Sequence, residues 1–211
     1  MPEEQSKAAE DRELVRAQTR HHDWQAKRLE HDLAREAARD ADRWYHFNAP
    51  IVDQTIDVCM SVLSVWVHES DRPITLAFDS PGGHIFSGLA LHDFIAEMVA
   101  KGAHIETSAY GFAASMAGIC LQAGAERTIR PNAYFMVHEA STEMAGNMSG
   151  LTDQVTLLKR MQERTQKILV DKSGGKTTMK LLKTKTARKS WWLDAAEALA
   201  QGFVDRIVYP S

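Results

Sequence analysis

A single serine, Ser115, stands in the middle of GFAASMAGIC (residues 111–120), where half of the residues are glycine or alanine. Side chains this small serve one of two purposes. They allow a helix start to pack closely against a sheet, or they leave room for a substrate carbonyl beside a nucleophilic hydroxyl. The stretch alone favours packing, so the rest of the chain decides whether Ser115 also does chemistry.

Two further segments carry groups suited to acyl transfer. DSPGGH (79–84) has two consecutive glycines, whose N–H groups approach a ligand without a Cβ in the way, and HEAS (138–141) begins with a histidine after an apolar run. Acyl transfer needs a nucleophile, a base and N–H donors for the oxyanion. Taken singly, each segment is a weak signal, since Pro-Gly-Gly is most often a turn and such a histidine is most often structural.

Strand and helix patterns alternate from Trp44 onwards, and they predict where the three segments lie in the fold. Strands are predicted over 73–79, 104–110, 133–138 and FVDRIVY, and helices over 86–100, about 150–171 and after the N-cap Asp194. Two helical faces are expected to be apolar, one with Ile56, Met60, Leu63 and Val67 and one with Val155, Leu158, Met161 and Ile168. This alternation predicts an α/β domain with mostly parallel strands. The three segments follow strands, so they are expected to converge at the carboxyl ends.

Composition limits the class of protein. The chain has 211 residues, 44% of them apolar and 25% charged, with a net charge of −3. These values are ordinary for a globular protein and give no electrostatic reason to expect nucleic acid or an anionic membrane as partner. No apolar run is long enough for a membrane span, and no secretory signal is evident. We expect a cytoplasmic protein with no metal or cofactor, in which Cys59 and Cys120 are buried free thiols.

Residues 1–43 differ from the rest of the chain. Twenty of these 43 residues are charged, eleven acidic and nine basic, and the segment has no glycine and no proline beyond Pro2. This composition predicts a charged helical extension ahead of a domain over 44–211. The helix is either a solvated tail or one that buries its thin apolar stripe against a neighbouring subunit or partner.

Several segments resemble one protein family. DSPGGHIFSGLALHDFI, GFAASMAGICLQAGA and PNAYFMVHEAS resemble, in order, the signature segments of ClpP-type serine peptidases, and LDAAEALAQGFVDRIV resembles that family's last helix and strand. The resemblance spans about residues 44–208. It implies the ClpP/crotonase fold, a spiral of strand–strand–helix units, and a serine endopeptidase that acts inside a heptameric ring or stacked rings on peptides or unfolded proteins. It also allows a AAA+ unfoldase as a partner.

The resemblance also implies roles for particular residues. Ser115 is the expected nucleophile, His138 the general base, and the backbone amides of Gly83 and Met116 the oxyanion donors. The small residues around Ser115 are then interpreted as clearing space for its hydroxyl.

One family feature is missing. The aspartate that orients the histidine in the family corresponds here to Thr186, or to Lys185 if the loop shifts by one, and residues 172–189 contain six Lys, one Arg and no acid. We hypothesise a Ser115–His138–Thr186 arrangement. KSWWLDAAEAL resembles ClpP-like proteins of phage genomes.

Other functions are open or excluded on stated grounds. The absent acid leaves open a catalytically silent structural ring subunit, and the shared fold leaves open a crotonase-type acyl-CoA enzyme, although a Ser–His pair serves hydrolysis. SGGKTT (173–178) is not a phosphate loop because Val170 stands where a glycine is required, and HEAST lacks the second histidine of a zinc helix. The lysine run lacks interleaved aromatics, which favours a solvated face over a nucleic-acid surface.

Overall fold

The computed structural model describes residues 43–141 and 145–210. The predicted charged helix over 1–43 therefore lies outside the described residues, apart from Arg43. The described residues form seven strands and six helices: β1 (Trp44–Phe47), α1 (Asp53–Glu69), β2 (Ile74–Ser80), α2 (Ile85–Ala100), β3 (Ile105–Ala114), α3 (Met116–Leu121), β4 (Glu126–Ile129), β5 (Tyr134–Val137), α4 (Met148–Lys172), α5 (Met179–Thr186), β6 (Trp191–Leu193), α6 (Ala195–Ala200) and β7 (Arg206–Ile207).

All seven strands belong to one sheet. Strands β1, β2, β3, β4 and β7 pair in that order, and all of these pairs are parallel. Strand β5 also pairs parallel with β3, whereas β6 runs antiparallel to β5. The predicted α/β class with mostly parallel strands is confirmed.

Strand β3 is longer than predicted. It was expected to end at Tyr110, but it continues to Ala114 and changes neighbour on the way. Its first part pairs with β4, and after Gly111 it pairs with β5, where Ala114 lies opposite Met136. Gly111 has a φ of +54°, and a Cβ there would lie 2.5 Å from the carboxylate of Asp79. The glycine thus permits a close approach to Asp79 where the strand changes partners.

The inward face of α1 differs slightly from the prediction. Its buried residues are Ile56, Cys59, Leu63 and Trp66, while Met60 and Val67 are half-buried. The face is therefore centred on the i, i+3, i+7, i+10 series, with the large Trp66 completing it. Cys59 and Cys120 are both buried free thiols, as predicted.

Helix α4 joins the core only near its C-terminal end. Gln166 and Leu169 are its buried residues, whereas Val155 and Leu157 are exposed. Of the predicted apolar face, Val155 is thus exposed, while Leu158, Met161 and Ile168 are half-buried. Within the described ranges, no helix has the length and apolarity needed to cross a bilayer.

The basic segment that follows α4 contains a helix that the sequence pattern did not predict. Helix α5 begins after Thr178, whose hydroxyl accepts a hydrogen bond from the N–H of Leu181, and it buries Leu182 and Thr186. Exposed lysines stand between these two buried positions, so the short buried face gives no clear helical pattern in the sequence. At the end of the chain, β7 has only two residues and is shorter than the predicted strand.

Candidate active site

Ser115 occupies a strained turn between β3 and α3. Its backbone has a φ of +54° and a ψ of −122°, a region that non-glycine residues rarely adopt. Such a conformation costs on the order of 1–3 kcal/mol and persists only where the surroundings hold it. Here the N–H of Ser115 donates to the carbonyl of Met136 at 2.8 Å, and its own carbonyl accepts from Ile119 at 3.3 Å. The turn is therefore fixed from both sides.

The predicted serine and histidine meet at this turn. Nε2 of His138 lies 2.8 Å from Oγ of Ser115. His138 follows directly on β5, and Ser115 follows directly on β3, the strand paired with it. The separation lies within the range over which a general base takes a proton from a hydroxyl.

Two backbone amides border the same cavity. Gly83 and Met116 line it together with Ser115 and His138. Among the described residues, neither the Gly83 nor the Met116 N–H donates a hydrogen bond to the protein. The N–H of Met116 is the first of α3, so no carbonyl of that helix is available to it. Both N–H groups are therefore without a protein acceptor among the described residues, as the predicted role of oxyanion donor requires.

The Pro-Gly-Gly loop packs directly on the serine turn. A Cβ on Gly82 would lie 2.7 Å from the Met116 nitrogen and 2.8 Å from the Cβ of Ser115, and one on Gly83 would lie 2.2 Å from the carbonyl oxygen of Ile51. Real Cβ atoms do not approach other atoms so closely, so both positions require glycine.

The small residues around Ser115 serve packing. They were expected to clear space for the hydroxyl, but Ala113, Ala114 and Ala117 are buried in the core, and a Cβ on Gly118 would lie 2.7 Å from the Phe135 ring. The residue that leaves room at Ser115 is Gly82, which lies outside the stretch. The small residues of GFAASMAGIC are therefore interpreted as packing residues, in place of the expected role of clearing space for the Ser115 hydroxyl.

A cavity of about 270 Å³ opens beside Ser115. Its wall is polar and apolar in about equal parts, and its polar side chains apart from Ser115 and His138 are Ser141, Thr165 and Gln166. Apart from His138, no ionisable side chain belongs to the part of the wall that the structure describes. The cavity is thus suited to an uncharged group next to the scissile carbonyl.

Neither candidate for the third position contacts the histidine. Thr186 is buried, and its hydroxyl donates to the carbonyl of Leu182 at 2.8 Å. The ammonium of Lys185 lies over the ring of Trp191. Among the described residues, the His138 side chain forms a hydrogen bond only with Ser115. The assignment of Thr186 stays a prediction, without a contact to support it.

Asp194 occupies the N-cap position that the sequence predicted. Its carboxylate accepts from the N–H of Glu197 at 2.8 Å, and Glu197 in turn accepts from the N–H of Asp194 at 3.0 Å. This reciprocal capping box commits Asp194 to the start of α6.

Three polar residues near the site were missed in the sequence. The amide oxygen of Gln162 accepts from the N–H of Ala140 at 3.0 Å, Gln166 lines the cavity, and Glu139 accepts from the N–H of Arg188 at 3.4 Å. Gln162 and Gln166 are four residues apart, so they share one helical face with buried Leu169. That spacing was the available signal, but glutamine on a charged helix usually indicates an exposed position.

Comparison with known proteins agrees with the geometry. The model of the Clp protease family matches residues 40–211. The chain is 31% identical over 176 residues to the ATP-dependent Clp protease proteolytic subunit of Streptococcus suis (strain 98HAH33), covering 79% of this chain and 85% of that protein. It is 31% identical over 153 residues to the ATP-dependent Clp protease proteolytic subunit 2 of Tropheryma whipplei (strain Twist), covering 72% and 82%.

A third relative matches over a shorter stretch. The subunit 2 protein of Gluconobacter oxydans (strain 621H) is 32% identical over 142 residues, or 66% of this chain and 62% of that protein. The family match covers the strands that carry both Ser115 and His138, and it extends to the end of the chain. The chain therefore belongs to the Clp protease family and is a serine-type peptidase.

Proposed function

We propose that this chain cleaves peptide bonds by acyl transfer to Ser115, with His138 as the general base. The observation that carries the proposal is the 2.8 Å separation between Nε2 of His138 and Oγ of Ser115. The strained backbone of Ser115 supports it further, because such strain persists mainly at functional positions.

The proposed reaction has two steps. Nε2 of His138 takes the proton of Ser115 as Oγ attacks the substrate carbonyl, and the N–H groups of Gly83 and Met116 stabilise the oxyanion. His138 then gives the proton to the leaving amine, and the acyl group remains on Ser115 as an ester. In the second step a water molecule loses its proton to His138 and attacks the ester. Ser115 recovers its proton as the acid product leaves.

We propose that the peptidase is weak in this form. In a full triad an acid holds the histidine tautomer and stabilises the imidazolium that forms during attack. Thr186, the residue that the family resemblance puts in that position, is uncharged, and its hydroxyl proton is used by the carbonyl of Leu182. Thr186 remains the candidate third residue.

We further propose assembly into a heptameric ring or stacked rings acting on peptides or unfolded chains. Phe86, Met148 and Leu157 are large apolar residues that the single chain leaves exposed, which supports contact with another copy. The relatives are named ATP-dependent Clp protease proteolytic subunits, which supports a ring and a AAA+ unfoldase as partner. The cytoplasm is the proposed compartment, supported by two buried thiols in the reduced form.

Covalent labelling of the full chain tests the reaction. A fluorophosphonate is expected to modify Ser115, to fail with Ser115→Ala, and to react far more slowly with His138→Ala. The matched control is Ser141→Ala, which removes another serine of the same cavity and should remain labelled at Ser115. An assembled, folded wild-type protein that is not labelled would contradict the proposal and favour a silent ring subunit. Native mass spectrometry tests assembly, since a stable species of 23.6 kDa would contradict the ring.

A further inference from the structure

Gln166 is a buried polar side chain without a partner. The residue is 3% exposed, and neither its Nε2 nor its Oε1 has a hydrogen-bond partner among the residues that the structure describes. It also lines the cavity that contains Ser115 and His138. Buried polar groups are nearly always paired, and an unpaired one destabilises the fold. An amide with no partner among the described residues, in the wall of an active-site cavity, is available to a ligand that binds there.

Its polar neighbours on α4, Thr165 and Gln162, are committed within the protein. The hydroxyl of Thr165 donates to the carbonyl of Gln162 at 2.9 Å, and the amide oxygen of Gln162 accepts from the N–H of Ala140 at 3.0 Å. Gln166 thus differs from the other polar residues on this part of α4. Both its donor and its acceptor are left for a ligand.

The cavity chemistry restricts what that ligand is. The described part of the wall offers no charge to match an ionised side chain, which would therefore be costly to strip of its water there. An apolar side chain would leave the amide of Gln166 unpaired. A primary carboxamide avoids both costs, because it offers one donor and one acceptor that pair with the acceptor and donor of Gln166.

We propose that Gln166 selects substrates with a carboxamide side chain, glutamine or asparagine, at the residue whose carbonyl is attacked. The inference rests on the proposed function. Because the acyl residue stays attached to Ser115 as an ester, its side chain must lie in a cavity that Ser115 lines. Gln166 determines specificity and does not touch the reacting atoms. The amide atoms of Gln166 are withdrawn from solvent, so contact with the substrate requires rotation about the last side-chain torsion. That torsion has a broad distribution, so the rotation is easy.

A pair of matched substrates tests the proposal. Two peptidyl aminocoumarins, identical except for Gln or Met at the last acyl position, have side chains of similar size and the same leaving group. We expect the full-length protein to favour the Gln peptide at least ten-fold in kcat/KM. The Gln:Met ratio should fall at least ten-fold in Gln166→Met. Gln154→Met makes the same substitution on an exposed position of α4 outside this cavity and should leave the ratio within two-fold.

Slow turnover does not weaken the test. Peptidyl phosphonates carrying the same two side chains give the Gln:Met ratio from labelling rates alone. Gln166→Met should melt no lower than wild type, because it removes an unpaired buried amide, and Gln166→Leu is the second variant if it does not fold. An unchanged ratio with normal fluorophosphonate labelling overturns the inference alone. Loss of fluorophosphonate labelling in wild type overturns the proposed function, and the inference with it.

Discussion

Nε2 of His138 lies 2.8 Å from Oγ of Ser115 because the strands that carry the two residues end side by side. Ala114, the last residue of β3, lies opposite Met136 of β5, and the N–H of Ser115 donates to the carbonyl of Met136. The distance between serine and histidine is therefore set by strand register. It depends on β3 continuing beyond Gly111 to reach β5.

Gly82→Ala is expected to reduce the labelling rate of Ser115 by at least 100-fold while the protein stays folded. Gly82 has a φ of +85°, and its added Cβ would lie 2.7 Å from both the Met116 nitrogen and the Ala114 oxygen. These atoms belong to the serine turn, so relief of the clash must move Ser115 or the proposed oxyanion donor Met116. The measurement is the rate of fluorophosphonate labelling together with the melting temperature.

Gly175→Ala is the matched control for this change. Gly175 has nearly the same φ, +83°, but no atom lies within 4 Å of its Cβ position. It therefore suffers the same backbone strain without the clash and should lose some stability but keep its labelling rate. Equal losses of labelling in the two variants would show that strain alone explains the effect of Gly82→Ala.

The sequence predicted the pairing of Ser115 and His138 but not why they meet. The order and spacing of the strands predicted that both residues follow the carboxyl ends of strands, and in the structure Ser115 follows β3 and His138 follows β5. The continuation of β3 through GFAA could not be predicted, because glycine and alanine have little strand propensity and the pairing with β5 is a tertiary contact. The unpaired state of Gln166 is likewise a property of its surroundings and has no signature in the chain.

Both thiols of the native protein are expected not to react with Ellman's reagent. Cys59 and Cys120 are fully buried, and burial raises the pKa of Cys120 well above its usual value. Because the thiolate is the reactive form, a buried, protonated thiol does not react at neutral pH. The whole chain has two cysteines, so denaturation should release two equivalents. Rapid reaction of the folded protein would contradict the packing of α1 and α3 described above.

Asp205→Asn is expected to lower the melting temperature at pH 7, and its difference from wild type should shrink as the pH falls below about 4. Partial burial alone would raise the pKa of Asp205, but hydrogen bonds from Arg127 outweigh it and hold the pKa below its usual value. A carboxyl with a lowered pKa in the folded state stabilises the fold above the unfolded pKa of about 4. That stability is lost as the pH falls through the lower, folded value.

The size of this effect is limited by solvent. The Asp205 side chain is 43% exposed, so about 1 kcal/mol at pH 7 is the expected scale. Asp171→Asn, which breaks the exposed Lys167–Asp171 pair, is the control and should change the melting temperature less. A difference between Asp205→Asn and wild type that persists unchanged at pH 3 would show that the carboxylate charge is not its cause.

Two substitutions of Thr186 test whether this residue is the third member of the catalytic group, after Ser115 and His138. Thr186→Val removes the hydroxyl and keeps the shape. Since that hydroxyl donates to Leu182, we expect the labelling rate to change by less than about three-fold. Thr186→Asp puts a carboxylate at the position where the family resemblance expects an acid that accepts from Nδ1 of His138 and stabilises the imidazolium.

We expect Thr186→Asp to raise both peptide hydrolysis and labelling at least ten-fold, which corresponds to about 1.4 kcal/mol of barrier. Loss of a triad aspartate elsewhere lowers the rate by about 10⁴-fold, so a gain of this size is modest. Thr186 is buried, and an unpaired carboxylate there would destabilise the fold, so the melting temperature reports independently on whether the new acid has found a partner. A folded, assembled Thr186→Asp protein with no gain would mean that position 186 does not face the histidine. Ser115 and His138 would then act as a dyad or with a partner elsewhere in the chain.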